Sequence, residues 1–93
     1  MDVRAANPEA VEEILRRLSR IEGQVRGIRR MIEEGSDCES VLVQMAALKS
    51  AVSRAALKLL GCELGVRIAR EIREGGTGEK AAEELLESFL RMS

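Results

Sequence analysis

Two cysteines offer the most distinctive chemistry in this sequence. Cys38 and Cys62 are the chain's two thiols, and its 93 residues include no histidine. A pair of thiolates can hold a soft ion such as Cu(I), or can be oxidised to a disulfide or polysulfide bridge. Free cysteine is also among the residue types most often buried, so for Cys62 the alternative is a filling role in a helical core.

Helical spacing limits how these two thiols can meet. Both fall on one apolar stripe that steps by three and four residues, and its members are Cys38, Val41, Met45, Leu48, Val52, Ala55, Leu59, Cys62, Val66 and Ala69. Along one continuous helix, Cys38 and Cys62 would be about 36 Å apart, too far to meet within a chain. If two copies pack antiparallel about a dyad near residue 50, Cys38 of one copy faces Cys62 of the other.

Positive charge is concentrated in two segments, although the net charge of the chain is −1. Residues 14–32 contain six arginines and a single acid, Glu22, and residues 40–62 contain three basic residues and no acid. A basic face of this kind is typical of phosphate binding, and the alternative is a solvated face whose arginines pair with glutamates. The candidates from charge placement are Arg16, Arg20 and Lys58.

Three helices are predicted to carry these residues. Two long segments repeat apolar residues at steps of three and four, and the stripe of the first is Val11, Ile14, Leu18, Ile21, Val25, Ile28 and Ile32. Asn7 followed by proline marks a helix start, and Gly35 and the Gly75-Gly76 pair mark helix ends. We predict helices over 8–34, 36–74 and 78–92 in one domain, 1–93. Ser36 and Glu39 are predicted to form a capping box, and Thr77 or Gly78 to cap the third helix.

The lengths of the predicted helices imply more than one copy of the chain. At 1.5 Å per residue the second helix is about 57 Å long and the first about 40 Å. A helix of that length cannot bury its whole apolar stripe against a shorter neighbour. The sequence therefore predicts an all-α oligomeric bundle, most simply an antiparallel pairing of helix hairpins.

The segment RLSRIEGQVRGIRRMIEEGSDCESVLVQMAALKSAV, residues 17–52, resembles the copper-sensing operon repressor family, also called metal-sensitive transcriptional repressors. The resemblance rests on the run RIEGQVRGI, followed by a helix break, a cysteine and the run VLVQMAA. It implies a disc-shaped homotetramer, a dimer of antiparallel-bundle dimers. It also implies a cytoplasmic repressor that leaves operator DNA when its effector binds cysteine-centred sites between subunits.

The resemblance also implies where an effector would bind. The three ligand positions of copper-sensing members fall on Cys38, Glu63 and Arg67, of which Cys38 alone can bind Cu(I). Nickel-sensing members depend on histidines, which this chain lacks. Persulfide-sensing members keep two cysteines without the histidine, and their second cysteine falls at Arg67, five residues after Cys62.

Further positions are implied to act in DNA binding and in its regulation. Arg17 and Arg54 match family positions implicated in DNA binding. Gln24 and Glu84 match positions that connect the effector site to the DNA face.

The favoured hypothesis is a DNA-binding repressor that is released by persulfide formation or thiol oxidation at Cys38 and Cys62, with no obligatory cofactor. A Cu(I)-responsive repressor with a bis-thiolate site is one alternative. Another is a helical oligomerisation module without a DNA role, which the apolar stripes alone support equally well.

Other classes of protein are not expected. The chain has no histidine, no paired-carboxylate pocket that we can place and no glycine-rich phosphate loop, so an enzyme is not expected. No apolar run reaches the length of a membrane span, and residues 1–15 lack the apolar region of a signal peptide. We expect a cytoplasmic protein with reduced thiols and no membrane partner.

Overall fold

A computed structural model describes residues 7–92, with the backbone alone at Met92. It contains three helices, which are α1 (Pro8–Glu33), α2 (Cys38–Arg73) and α3 (Glu79–Met92). Each helix end lies within two residues of the predicted bound, and the described residues form no strand. The predicted all-α fold class is confirmed.

The first helix begins where its sequence supplies a cap. The side-chain oxygen Oδ1 of Asn7 accepts hydrogen bonds from the amide N–H groups of Glu9 (3.0 Å) and Ala10 (3.4 Å). Pro8 follows as the first helical residue, where its missing N–H costs nothing. These contacts satisfy two of the amide groups that a helix start leaves unpaired.

A glycine motif ends α1. Gly35 has a φ of 81°, a conformation that side chains other than glycine disfavour. Its N–H donates to the carbonyl oxygen of Ile32 (3.2 Å), and the N–H of Ser36 donates to that of Met31 (2.9 Å). This pair of bonds is a Schellman motif, which closes the helix and turns the chain.

The second helix is capped by Asp37, so the prediction of a capping box between Ser36 and Glu39 is wrong. The carboxylate of Asp37 accepts the amide N–H of Ser40 (3.3 Å) and the hydroxyl of Ser40 (2.6 Å). The Ser40 hydroxyl and then its amide hold the pKa of the Asp37 carboxyl below its ordinary value. The N–H of Ser36 donates to the carbonyl oxygen of Met31, so it is not available to the Glu39 side chain as a capping box requires.

The chain between α2 and α3 turns through glycines as well. Gly75 has a φ of 93°. Its N–H donates to the carbonyl oxygen of Ile72 (3.0 Å), and the N–H of Gly76 donates to that of Glu71 (2.8 Å). The same Schellman arrangement therefore ends α2.

Two contacts attach the start of α3 to α2. Gly78 is buried, has a φ of 88°, and packs so closely that an added Cβ would lie 2.7 Å from Cγ2 of Ile68. The carboxylate of Glu71 accepts the amide N–H of Ala81 (3.2 Å) in the first turn of α3. Gly78 directly precedes α3, and the Thr77 hydroxyl also accepts the N–H of Glu79 (3.3 Å).

The described residues form two compact units. Residues 12–57 make up one, here called the hairpin unit, and residues 7–11 with 58–92 make up the other, the C-terminal unit. The single domain over 1–93 stays a prediction. In the C-terminal unit, Ala81 and Leu85 of α3 are buried, as is Ala10 of α1.

In the hairpin unit the chain covers half of the predicted apolar stripe of α1. Ile14 and Ile28 are buried and Ile21 is half-buried, whereas Leu18, Val25 and Ile32 are each at least 40% exposed. The exposed apolar residues of α2 in this unit are Leu42, Val43, Met45, Val52 and Leu57. Apolar surface of this extent is typical of a protein that associates with further copies or partners.

The contact at Gly78 predicts a specific loss of stability. Gly78→Ala should lower the free energy of unfolding by about 1–3 kcal/mol, because the methyl group meets Ile68 and the positive φ disfavours alanine. Gly61→Ala is the matched control, since nothing lies within 4 Å of an added Cβ there and alanine favours a helix by about 0.5–1 kcal/mol. Urea unfolding followed by circular dichroism at one protein concentration measures both. A Gly78→Ala variant as stable as Gly61→Ala would contradict the contact.

Candidate nucleic-acid interface and effector positions

An open cleft of about 510 Å³ lies between α1 and α2 in the hairpin unit. It is called the arginine cleft here, and its lining residues are Arg17, Arg20, Ile21, Gly23, Gln24, Ala51 and Arg54. Gly23 and Ala51 have little or no side chain, which leaves room between the arginines. Thus three predicted DNA-binding residues and the predicted allosteric residue Gln24 line one surface feature.

The other two predicted DNA-binding residues do not line this cleft. Arg16 is exposed on α1, and Lys58 is exposed on the part of α2 that belongs to the C-terminal unit. Their assignment as DNA contacts stays a prediction from charge placement.

Arg17 differs from the other arginines of the cleft. Its Nη2 donates to Oε1 of Glu13 one helical turn earlier (2.9 Å), and the two side chains are 31% and 32% exposed. Its Nε is buried and has no hydrogen-bond partner among the described residues. Sequence reasoning missed Glu13, although its position four residues before Arg17 is the spacing of a helical ion pair.

Ion pairing divides the remaining arginines of α1 and α2. Arg26 pairs with Glu22 (4.0 Å) and Arg29 with Glu33 (3.9 Å), in long, exposed contacts of the kind that contribute little to stability. No ion pair joins Arg20 or Arg54 to any residue between 7 and 92. The alternative of arginines paired with glutamates therefore describes Arg26, Arg29 and, within the cleft, Arg17, but not Arg20 or Arg54.

The two cysteines are free and lie in different surroundings. Cys38 is exposed and is the first residue of α2, directly after the capping Asp37. Cys62 is half-buried. It lines a groove of about 460 Å³ in the C-terminal unit, together with Asn7, Gly61, Gly65, Val66 and Ala69. Both cysteines lie on the single helix α2, and their pairing between two chains stays a prediction.

An ion pair occupies the two positions that the resemblance implied as further metal ligands in copper-sensing members. Nε of Arg67 donates to Oε1 of Glu63 at 2.8 Å. A guanidinium has no free lone pair, and a carboxylate is a hard ligand unsuited to Cu(I). The described residues contain no group of three or more histidine, cysteine or acidic side chains that could hold a metal. The residues present do not fit a three-ligand metal site.

Glu84, the second predicted allosteric residue, lies beside this ion pair. A cleft of about 370 Å³ in the C-terminal unit is lined by Glu63, Arg67, Arg70, Glu71, Glu74, Lys80, Ala81 and Glu84. The structure thus brings Glu84 of α3 to the same surface as the two positions that carry metal ligands in the family.

Within residues 7–92 we find no helix with the length and apolar character that crossing a membrane requires.

Comparison with known proteins identifies the family. The model of the family described as metal-sensitive transcriptional repressors matches residues 10–91. The chain belongs to this family. The resemblance inferred from residues 17–52 is therefore confirmed. Members of the family are transcriptional repressors, which supports a protein that is not an enzyme.

Three known proteins illustrate the relationship. The copper-sensing transcriptional repressor RicR of Mycobacterium tuberculosis is 51% identical over 63 residues, which are 68% of this chain and 66% of that protein. The structure of the copper-sensing repressor CsoR with Cu(I) from Geobacillus thermodenitrificans NG80-2 matches with a TM-score of 0.74 and 37% identity. That match covers 92% of this chain and 88% of the other.

The third known protein has a different effector in its title. The nickel-responsive transcriptional regulator InrS matches with a TM-score of 0.73 and 35% identity, over 84% of this chain and 90% of the other. Copper-sensing and nickel-responsive proteins therefore share this fold, and membership of the family does not by itself define the effector.

The Glu63–Arg67 ion pair yields a test of the donor set. If the parent chain binds Cu(I), a Glu63→Ala/Arg67→Ala variant should bind it with the same stoichiometry and an affinity within about twofold, because neither side chain is a ligand for this ion. Competition with a chromogenic Cu(I) chelator under anaerobic conditions measures this. Cys38→Ser is the comparison variant, since it removes a thiol instead. A tenfold or larger loss in the double-alanine variant would make residues 63 and 67 part of the site.

Proposed function

We propose that this chain is a DNA-binding transcriptional repressor that leaves its operator when Cys38 and Cys62 of neighbouring copies react. Sulfane sulfur or another thiol oxidant is the favoured effector, and no cofactor is needed for DNA binding. The observation that carries the proposal is the arginine cleft, in which Arg20 and Arg54 form no ion pair with any described residue.

The arginine cleft suits the DNA backbone. Guanidinium groups bind phosphate oxygens through two parallel hydrogen bonds, and Arg20 and Arg54 have their donors available for this. A repressor that uses such contacts loses affinity steeply as salt rises, because each neutralised phosphate releases a counterion. None of the residues that line this cleft is aromatic, so an aromatic side chain of the cleft cannot stack on a base.

The effector is inferred from the donors that this chain retains. With no histidine and with positions 63 and 67 in an ion pair, the two thiols are the groups left to react. Cys38 is exposed and accessible to a small oxidant, whereas Cys62 is half-buried in a groove that is open on its surface. Cys38 is therefore the better candidate for first attack.

The proposed reaction balances without a further cofactor. The thiolate of Cys38 attacks the terminal sulfane sulfur of a polysulfide, the adjacent S–S bond of the donor breaks, the polysulfide leaves one sulfur shorter, and Cys38 becomes a persulfide. The thiolate of Cys62 in a second copy attacks the inner sulfur of that persulfide, a disulfide forms, and hydrosulfide leaves. The donor's sulfane sulfur is reduced to hydrosulfide, and the two thiols are oxidised.

A Cu(I)-responsive repressor is the second candidate, and the copper-sensing relatives favour it. Two thiolates are sufficient to coordinate Cu(I). Such a site would be made of Cys38 from one copy and Cys62 from another, without the residues at positions 63 and 67.

Either effector requires an assembly of chains. We propose a homodimer of antiparallel hairpins that doubles to a homotetramer in the cytoplasm. The apolar side chains that α1 and α2 leave exposed, Leu18 and Val25 on α1 and Met45 and Val52 on α2, support burial against another copy. Operator DNA is the proposed partner of the assembled basic surfaces.

DNA binding is tested by arginine substitutions inside and outside the cleft. Arg20→Ala and Arg54→Ala should each weaken binding to the gene's own promoter DNA by about five- to tenfold, and each should reduce the salt slope by about one unit. Arg29→Ala is the matched control, because Arg29 is paired with Glu33 and does not line the cleft. Fluorescence anisotropy between low and moderate salt gives both values, with the oligomeric state checked by light scattering.

Two outcomes would contradict this prediction. If Arg20→Ala and Arg54→Ala match Arg29→Ala, the cleft is not the interface. If the reduced parent protein does not bind at low salt, the chain is an oligomerisation module instead.

The effector is tested by mass spectrometry of the reduced protein. Treatment with an inorganic polysulfide should give dimers crosslinked between Cys38 and Cys62 and should abolish DNA binding, whereas Cys38→Ser and Cys62→Ser should stay bound. In a parallel experiment the reduced protein is treated with Cu(I) under anaerobic conditions. Stoichiometric copper with loss of DNA binding and no crosslink under polysulfide would favour the bis-thiolate copper repressor. If neither treatment modifies Cys62, that residue is core.

A further inference from the structure

The ion pair between Glu13 and Arg17 differs in its geometry from the other two ion pairs between described residues of the hairpin unit. Its N···O distance is 2.9 Å, and both side chains are about one-third exposed. The Arg26–Glu22 and Arg29–Glu33 pairs are 3.9 Å or longer and at least two-thirds exposed. Charges that are partly buried are screened less by salt and solvent, so the Glu13–Arg17 contact is the strongest of the three.

The position of this pair gives it a consequence for DNA binding. Arg17 lines the arginine cleft, so the carboxylate of Glu13 neutralises one of the three guanidinium groups there. A phosphate oxygen that approaches Arg17 meets a group already bonded to a carboxylate of like charge. Repulsion between two anions in a partly buried site is larger than in bulk water.

The Nε atom of Arg17 adds a second observation. It is buried, and none of the described residues accepts a hydrogen bond from it. Glu13 thus engages one terminal nitrogen and leaves the guanidinium incompletely bonded. A buried donor without a partner is costly, so the side chain would gain from a further acceptor.

We propose that Glu13 restrains the DNA affinity of this repressor by competing with a DNA phosphate for Arg17. This inference rests on the proposed function, in which the arginine cleft contacts the DNA backbone. Glu13 does not touch DNA in this account. It limits the positive charge that Arg17 offers to a phosphate.

One substitution separates the charge of Glu13 from its hydrogen bond. Glu13→Gln keeps a side-chain oxygen that can accept from Arg17 and removes the negative charge, so Arg17 stays oriented and becomes free to bind phosphate. Affinity for promoter DNA should rise about three- to tenfold, and the salt slope should steepen by about 0.9, the value for one additional counterion released.

Glu12→Gln is the matched control. Glu12 is the neighbouring residue on α1, is exposed, and makes no ion pair with a described residue. Glu12→Gln removes the same charge from the same part of the helix. A general change in the electrostatic potential of the protein therefore affects Glu12→Gln and Glu13→Gln alike. Anisotropy titrations over a salt series on one promoter fragment compare the two, in the parent and in an Arg17→Ala background.

The expected result is a gain in Glu13→Gln that exceeds the gain in Glu12→Gln and disappears when Arg17 is alanine. Equal gains in the two glutamine variants, or a gain that persists without Arg17, would overturn the proposal. Weaker binding by Glu13→Gln would also overturn it, because Glu13 would then position Arg17 for DNA. Failure of the proposed function is distinguishable, since the parent protein would then not bind the DNA at low salt.

Discussion

The structure depends on one constraint, which is that α2 is too long and too apolar for its own chain to cover. Of its 36 residues, Val41 and Ala55 are the ones it buries. Contact of water with the exposed apolar side chains is unfavourable, and in the proposed assembly a second copy of the same helix supplies a matching apolar surface. Cys38 and Cys62 lie on this same helix, 24 residues apart in sequence, and the proposed chemistry joins them between chains.

The availability of the arginines for phosphate binding depends on which of them form ion pairs, more than on the net charge of the chain. The chain is close to neutral, yet its arginines fall into different groups: exposed ones in long ion pairs, one held by Glu13, and two in the cleft without an ion pair to a described residue. The net charge therefore says little about affinity for a polyanion. What matters is which guanidinium groups have donors left to bind phosphate.

Much of the fold follows from local sequence signals. Asn7-Pro8, Gly35 and Gly75 mark helix ends through hydrogen bonds to residues within one turn, and such contacts can be inferred from neighbouring residues. The cap of α2 could not be inferred in this way. Ser36 and Asp37 are both good caps, and the choice between them depends on how far the closing motif of α1 extends.

The sequence by itself determined the available chemistry. It contains two thiols and no histidine, it places an arginine and a glutamate at two ligand positions of the family, and residues 17–52 carry the family's pattern. Only the tertiary structure decided which half of the α1 stripe is covered, and that Arg17, Arg20 and Gln24 share a cleft with Arg54. The α1 residues that share this cleft lie thirty or more positions before Arg54 in the sequence. Their proximity to it depends on how α1 packs on α2, and local periodicity does not define that packing.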